Sequence, residues 1–207
     1  MRLYQGTTVY FRLVELSDAE FILNLRLDPK VSRFLSPTDS SLDKQVAWLQ
    51  GYKEREAKGQ EFYYIVHRRD NDLPIGTIRI YDFDIRKSSF CWGSWIVNSD
   101  KTVSAALESS IFISDKGFFG LGFNHCHIDV VKVKMRAKLL PSAPLGFNHC
   151  HIDVVKTNAK VLRIYNKMGY KIVDEDERLV YHSYPKQVYE QNRSIVLELI
   201  QRLCEIG

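Results

Sequence analysis

The segment Thr157–Lys171 places one tyrosine inside a short predicted helix whose two ends are specified by neighbouring residues. Thr157 and Asn158 are residue types that cap helix N-termini, and Gly169 is the usual residue just beyond a helix C-terminus. Tyr165 lies two turns into this predicted helix. A phenol is protonated at neutral pH, so its side chain is of a type that can donate a proton in catalysis.

A second interpretation of Tyr165 is structural. Val161, Tyr165 and Met168 share one face of the predicted helix, which is typical of side chains that pack in a core. Which interpretation holds depends on the elements that lie next to this helix.

Those elements follow from hydrophobic periodicity and from turn residues. The first half of the chain predicts an antiparallel meander with two helices near its start. The predicted strands are Val9–Val14, Glu61–Arg68, Ile75–Tyr81 and Ser89–Val97. One helix is opened by a capping box at Ser17–Glu20, and the other spans Leu42–Lys58. The second half alternates helix and strand, which implies a parallel crossover. The predicted helices are Thr102–Phe119, the helix of Tyr165 and Gln187–Ile206. The predicted strands are His125–Val131 or its repeat His149–Val155, then Lys171–Asp174 and Arg178–Ser183. The predicted class is α+β with a mixed sheet.

A twelve-residue segment, LGFNHCHIDVVK, occurs twice without a difference, at Leu121–Lys132 and at Leu145–Lys156. Two copies are too few for a solenoid, and complete identity indicates a recent duplication or an anomaly of the sequence. Only one copy can fill the strand before the helix of Tyr165. We expect the second copy to fill it, because the extra residues then lie at the end of the sheet remote from the site. Exchange of this strand between two molecules stays open.

Length and composition indicate a single domain, residues 1–207, with an inserted or duplicated segment around 121–156. No apolar run is long enough to span a membrane, and the N-terminus lacks the layout of a signal peptide, so a cytoplasmic protein with reduced cysteines is expected. The net charge of +4 arises largely in residues 133–156, which carry four basic residues against one acidic residue. Without a chain-wide basic face, neither a nucleic acid nor a membrane is an expected partner.

Six positions around Tyr165 match a known signature. The signature consists of asparagine-alanine, then leucine, tyrosine and glycine-aromatic, and it is matched by Asn158, Ala159, Leu162, Tyr165, Gly169 and Tyr170. In the GNAT superfamily of N-acetyltransferases, the segment with this signature closes the acetyl-CoA site. The chain therefore resembles the aminosugar and ribosomal-protein acetyltransferases of bacteria. This resemblance implies a GNAT fold, with a mixed sheet flanked by helices, and acetyl-CoA as the acyl donor without a metal ion.

The resemblance also implies which residues bind the cofactor. In the family, the fourth strand separates from its neighbour and pairs with the pantetheine arm; here that place is taken by Trp95, Ile96 and Val97. A glycine-rich loop at a helix N-terminus binds the pyrophosphate, and its counterparts here are Lys101, Thr102, Val103, Ser104, Ala105 and Ala106. Ser104 replaces a glycine, so its side chain is expected to crowd or hydrogen-bond a phosphate oxygen. Asn158 and Lys167 complete the expected cofactor contacts.

The resemblance makes Tyr165 the candidate general acid for the departing thiolate of CoA. An ammonium group has no lone pair, so direct transfer also needs a base that removes a proton from the amine. Asp153 aligns with an acidic residue of related acetyltransferases and is the first candidate; Asp82 and Asp84 are the second. For all three, a solvated or hydrogen-bonded carboxylate stays an open interpretation.

The His-Cys-His triplet of the repeat is not expected to bind a metal or to react. His149 and His151 share a strand face, but the spacings typical of zinc ligands are absent and duplication explains the doubling. Direct transfer needs no covalent intermediate, so Cys150 is not an expected nucleophile.

The sequence specifies the acceptor of the acetyl group less closely than it specifies the cofactor site. The region from Arg26 to Trp48 looks like that of bacterial enzymes that acetylate nucleotide-linked aminosugars, although Gln45 stands where those often have histidine. Arg26, Trp48 and Asp82 are therefore candidate substrate-binding residues. Trp48 is suited to stack on a base or sugar, or alternatively to pack in the core.

Three functions remain open at this point. The leading one transfers an acetyl group from acetyl-CoA to the primary amine of a small molecule, such as a nucleotide-linked aminosugar. The second is an N-terminal protein acetyltransferase of the ribosomal-protein type. The third is an inactive acyl-CoA-binding protein, and both a monomer and a homodimer are compatible with the sequence.

Overall fold

The computed structural model describes residues 3–32, 38–127, 152–155, 163, 165–166, 169–175 and 179–206. The strands are β1 (Val9–Leu13), β2 (Phe62–Arg68), β3 (Pro74–Asp84), β4 (Ser89–Val97), β5 (His125–His127), β6 (Ile152–Val155), β7 (Lys171–Glu175) and β8 (Leu179–Pro185). The helices are α1 (Ala19–Leu27), α2 (Pro29–Ser32), α3 (Leu42–Ala57), α4 (Ala105–Asp115) and α5 (Lys186–Ile206). A 3-10 turn, Leu16–Asp18, precedes α1, and a π-helical turn, Lys116–Gly120, extends α4.

The sheet is mixed, as expected. Strands β1 to β4 form an antiparallel meander, and β4 then pairs in parallel with β5 after the crossover through α4. The order continues from β5 to β8, which runs antiparallel and also carries β6 and β7. The α+β class and the GNAT-like arrangement are confirmed.

Helices cover both faces of the sheet, and β2 shows why. Tyr64 and Val66 belong to the core cluster that includes residues of α4 and α5, whereas Tyr63 and Ile65 belong to the cluster that includes residues of α1 and α3. Successive side chains of a strand point to opposite faces, so a strand with consecutive apolar residues needs a helix layer on each side.

Two predicted helix starts differ from the structure. The capping box expected at Ser17–Glu20 is wrong: a 3-10 turn begins at Leu16, and Asp18 accepts from the backbone N–H of Glu15 at 2.8 Å and pairs with Arg12 at 2.7 Å. The helix expected from Thr102 begins at Ala105 instead. In both places a side chain needed for a tertiary contact changes the local geometry.

Strand β8 pairs with both copies of the repeated segment. His125 and Cys126 of the first copy lie opposite Pro185 and Tyr184, and β6, from the second copy, lies opposite residues 179–182. Both lie on one edge of β8, because β7 pairs along the other edge over nearly the same residues as β6. The pairing of β6 continues the register of β5, since Ile152 lies where Ile128, its counterpart 24 residues earlier, would follow His127.

The two copies therefore form one composite strand in an unbroken register. In this strand, His127 is the last described residue of the first copy, and Ile152 is the first described residue of the second copy. The expectation that the second copy alone fills the strand is wrong, because His125–His127 of the first copy pair with β4 and β8. The expected position of the extra residues falls on 128–151, outside the described residues.

Deletion of residues 128–151 joins His127 to Ile152 and leaves a chain of 183 residues with a single copy. We expect this variant to keep the fold and to gain on the order of 3 kcal/mol in unfolding free energy, because a 24-residue excursion carries a loop-closure cost of about that size. Guanidinium denaturation followed by circular dichroism measures the gain. A lower unfolding free energy of the deletion variant would contradict the composite strand. Light scattering, which measures the molar mass of both proteins in solution, tests strand exchange.

Candidate active site

Strand β4 contains a bulge at its centre. Thr77 of β3 lies opposite Ile96, but Arg79 lies opposite Gly93, so β4 carries one extra residue between these pairs. Ser94 adopts a φ of 46° within this stretch, and its carbonyl accepts from the Thr77 hydroxyl at 2.7 Å. A bulge with a residue in the left-handed region turns backbone groups away from the regular ladder, and such features are frequent beside active sites.

Beyond Cys91, strand β4 has no described pair with β5. The pairs between β4 and β5 run from Ser89 and His125 to Cys91 and His127, and no later pair between them occurs in the described part of the chain. The second half of β4, which contains the predicted cofactor residues Trp95, Ile96 and Val97, therefore has one edge that pairs with no described strand residue. In this half Ile96 is buried, whereas Trp95 and Val97 are partly exposed.

Tyr165 lies against this open half of β4. Its ring stacks on Trp95 at 6.4 Å between centroids and meets the edge of Trp92 at 5.9 Å. On its other side Tyr165 stacks on Tyr170 at 4.7 Å, which stacks on Tyr184. Tyr165 is 5% exposed, so it is a core aromatic that also borders the predicted cofactor strand, and the two interpretations drawn from the sequence are compatible.

The end of the helix that carries Tyr165 is as predicted. Gly169 has a φ of 86°, its N–H bonds to the carbonyl of Asn166 at 3.2 Å, and the N–H of Tyr170 bonds to the carbonyl of Tyr165 at 3.0 Å. These two bonds define a Schellman motif, which requires a left-handed residue just beyond the helix. The motif holds Tyr170 against Tyr165.

The loop expected to bind pyrophosphate leads into the N-terminus of α4. Lys101 and Val103 are exposed there, Ala106 is half-buried, and Ser104 and Ala105 are fully buried. Ser104 is the N-cap residue, with φ −97° and ψ −13°, a conformation that needs no glycine. The first N–H groups of a helix lack intrahelical partners and carry partial positive charge, so this end of α4 is suited to an anion.

The side chain of Ser104 faces the interior. Its hydroxyl donates to Glu108 Oε1 at 2.6 Å and lies 3.0 Å from the hydroxyl of Thr8, which lies 2.6 Å from that of Thr102. Contrary to expectation, this serine therefore adds no bulk to the outer surface of the loop.

Glu108 is fully buried, and hydrogen bonds hold its carboxylate. Besides Ser104, the donors are the hydroxyl of Tyr4 at 2.9 Å, the backbone N–H groups of Thr7 and Thr8, and the Thr8 hydroxyl. Burial favours the protonated form, but the hydrogen bonds from Ser104, Thr8, Thr7 and Tyr4 outweigh it and lower the pKa of Glu108. The carboxylate is thus ionised at neutral pH, and no described Lys, Arg or His forms an ion pair with it.

A cavity of about 320 Å³ lies between α3, the residues just before β2, and strand β3. It is lined by Trp48, Arg55, Gln60, Glu61, Arg79, Tyr81 and Asp82. The structure thus brings together two of the predicted substrate-binding residues, Trp48 and Asp82. A volume of this size is typical of small-molecule sites.

The cavity has a fixed charged wall. Glu61 is 5% exposed; it accepts from Arg55 and lies 3.2 Å from Arg79. The Arg79 guanidinium lies 4.1 Å from the ring centroid of Tyr81 and 5.5 Å from that of Trp48. This ion-paired and stacked arrangement leaves Arg79 few orientations.

The cavity adjoins the bulge of β4. Arg79 lies opposite Gly93 in the sheet, and a β-carbon on Gly93 would lie 3.0 Å from the Tyr81 hydroxyl. The lining of the cavity therefore lies beside the β4 backbone one residue from Ser94.

Other predicted residues lie elsewhere. Arg26 donates to the Thr38 hydroxyl at 2.8 Å and is not among the cavity-lining residues. Asp84 accepts from the backbone N–H of Lys87 at 3.0 Å, and that bond lowers its pKa, so it is tied to the turn after β3. The backbone of Asp153 lies in β6 opposite Tyr181. The side chain of Asp153, and Asn158, Lys167, His149, Cys150 and His151, lie outside what the structure describes.

Sequence reasoning missed Glu61, Arg79 and Glu108. Each is a charged residue inside an otherwise apolar strand or helix, or at the very start of one, and this is the signal that marks them. A charge at such a position is buried unless the element faces solvent, so it predicts a polar partner nearby.

The described part of the chain contains neither a cluster of metal ligands nor a membrane-spanning helix. Within the described ranges, no three His, Cys, Asp or Glu side chains are grouped so that they could hold a metal ion. None of the described helices is long and apolar enough to cross a membrane.

The sequence matches a family model described as an acetyltransferase (GNAT) domain over residues 8–171. This chain belongs to the GNAT acetyltransferase family. Of the solved structures, FdhC, described as a nucleotide-linked sugar GNAT, is 37% identical, with a TM-score of 0.73 over 93% of this chain and 94% of the other. No curated protein matches the sequence.

Two more distant GNAT structures share the fold. The ribosomal-protein-S5-alanine acetyltransferase of Vibrio fischeri is 12% identical, with a TM-score of 0.68 over 88% of this chain and 95% of that protein. The spermidine N-acetyltransferase of Vibrio cholerae, in a complex with CoA and spermine, is 15% identical, with a TM-score of 0.65 over 89% of this chain and 99% of that protein.

Replacement of Gly169 by alanine is expected to lower the unfolding free energy by clearly more than the roughly 1–2 kcal/mol of left-handed strain alone. A β-carbon at Gly169 would lie 2.3 Å from Asn192 Nδ2, whereas one at Gly59, with φ 68°, meets nothing within 4 Å. Gly59→Ala is therefore the matched control for strain. Equal losses of stability in the two variants would show that contact with α5 does not restrict this turn.

Proposed function

We propose that this protein transfers an acetyl group from acetyl-CoA to the primary amine of a nucleotide-linked aminosugar by direct attack of the amine on the thioester. The observation that carries this proposal is the charged, tryptophan-lined cavity that adjoins the bulge of β4. The 37% identity to a nucleotide-linked sugar GNAT supports the choice of acceptor.

Acetyl-CoA fits the open side of the sheet. The free edge of β4 beyond Cys91 offers backbone groups to the amide groups of pantetheine, as an added strand would. The same strand ends at Val97, shortly before the N-terminus of α4, where first-turn amides and exposed Lys101 suit a pyrophosphate. The thioester would then lie near Ser94, whose bulge frees backbone donors that can polarise its carbonyl.

Tyr165 is the proposed general acid. Its stacking on Trp95 places it beside the strand that would hold pantetheine, and a phenol can protonate a departing thiolate. The partner base that takes the proton from the amine is proposed to be Asp153 or Asp82. Asp82 lines the cavity proposed for the acceptor, which supports this role.

The lining of the cavity suits a sugar nucleotide. Trp48 is 40% exposed and offers an aromatic face to a sugar ring or base. Glu61 and Asp82 can accept from hydroxyl or ammonium groups, and Arg55 and Arg79 can bind a diphosphate.

Titration calorimetry with acetyl-CoA, followed by a free-thiol release assay on a panel of amines, tests this function. The panel contains UDP- and dTDP-linked aminosugars, spermidine and a peptide with a free N-terminus. We expect binding of acetyl-CoA and thiol release with a nucleotide-linked aminosugar. Binding without release on any amine would sink the enzymatic proposal, and release with the peptide alone would assign a protein acetyltransferase.

Substitution of Tyr165 by phenylalanine tests the acid. The ring keeps its stacking on Trp95, so affinity for acetyl-CoA should be nearly unchanged, while turnover should fall by roughly a hundredfold or more. Tyr10→Phe, which removes a surface hydroxyl bonded to Asp72, is the matched control. Full activity of Tyr165→Phe would exclude Tyr165 as the proton donor.

A further inference from the structure

Glu108 is a buried carboxylate whose partners, among the residues that the structure describes, are all neutral donors. Its oxygens accept from hydroxyls and backbone N–H groups of the segment around Tyr4, Thr7 and Thr8, and from Ser104. A buried charge without a cation is costly to desolvate and depends on every one of these hydrogen bonds.

Ser104 does not do what an N-cap serine usually does. The hydroxyl of such a serine normally accepts from the N–H of the second or third residue of the helix, here Ala106 or Leu107. At the start of α4 that bond is not formed. The hydroxyl donates to Glu108 instead, with Cys204 Sγ as a weak second neighbour at 3.6 Å.

The choice of partner decides what the N-terminus of α4 can bind. A capping hydroxyl would use the same N–H groups that an anion at a helix N-terminus needs. Because Ser104 is turned inward, the N–H groups of Ala106 and Leu107 have no side-chain cap. The hydroxyl of Thr8, which also bonds to Glu108, lies between Ser104 and Thr102 and braces the two residues on either side of exposed Val103.

We propose that Glu108 is a positioning residue for the acyl donor: it draws the Ser104 hydroxyl into the interior and so keeps the first-turn N–H groups of α4 available to the pyrophosphate of CoA. This inference rests on the proposed function for its ligand. Glu108 itself touches neither the ligand nor the reacting atoms.

The negative charge of Glu108 has the opposite effect on CoA binding from its orientation of Ser104. Glu108 is negative and lies one turn from the expected pyrophosphate, so its charge alone disfavours an anion there. Loss of the charge would then tighten CoA binding, whereas release of Ser104 into a capping position would weaken it. The two effects have opposite signs, and the sign measured for Glu108→Gln separates them.

The test uses three variants of the full chain, Glu108→Gln, Ser104→Ala and the double variant, with Glu54→Gln on the exposed face of α3 as the control for an acid-to-amide change. The probes are CoA, measured by titration calorimetry, and S-acetylpantetheine, which lacks the pyrophosphate, measured as a KM in the thiol-release assay. We expect Glu108→Gln to bind CoA about fivefold more weakly, which corresponds to the roughly 1 kcal/mol of a serine N-cap. Its KM for S-acetylpantetheine should not change.

The double variant is the decisive one. Without the Ser104 hydroxyl there is nothing to cap the helix, so Ser104→Ala in the Glu108→Gln background should restore CoA affinity to near that of Ser104→Ala alone. Tighter binding by Glu108→Gln, equal losses for both probes, or no rescue in the double variant would each overturn the inference. Failure of the unaltered protein to bind CoA would instead refute the proposed function, so the two failures are distinguishable.

Discussion

Among the described residues, strand β4 pairs with β5 only as far as Cys91 and His127, and the proposed site depends on this separation. A regular parallel ladder would use the backbone groups of both strands and leave nothing for a ligand. The bulge at Ser94 maintains the separation, because its left-handed residue and the Thr77 bond turn β4 away from a regular path. Trp92 and Trp95 both contact the ring of Tyr165 beside this half of β4.

The same separation explains how the sheet accommodates a duplicated segment. Every junction between the two identical copies gives the same strand sequence, so the sequence does not specify where the chain switches from one to the other. Among the described residues, the first copy contributes to the strand up to His127, which is also the last residue of β5 paired with β4, and the second copy contributes from Ile152. Strand β8 pairs with both contributions. The prediction that the second copy fills the strand assumed that one copy supplies all of its residues.

Features set by neighbouring residues were predictable, and features set by distant partners were not. Gly169 ends its helix as expected because a Schellman motif needs only a residue that tolerates positive φ. The predicted capping box failed because Asp18 bonds to Arg12, a strand residue. Trp48 and Asp82 were found from their chemistry, but Arg79 and Glu61, which complete their cavity, become visible only when β2, β3 and α3 are packed together.

Two buried acids fix α4 in different ways, and the difference suits the two ends of the helix. At the C-terminal end Asp115 pairs with Arg193 at 2.6 Å and accepts from Tyr189, which binds α5 to α4. At the N-terminal end Glu108 is held by backbone N–H groups and hydroxyls alone, and Tyr4 spans both acids through its N–H and its hydroxyl. A cation paired with Glu108 would be attracted to any phosphate bound one turn away, and its side chain is flexible enough to follow. Backbone donors cannot move in this way, so a carboxylate satisfied by them stays in place when an anion arrives.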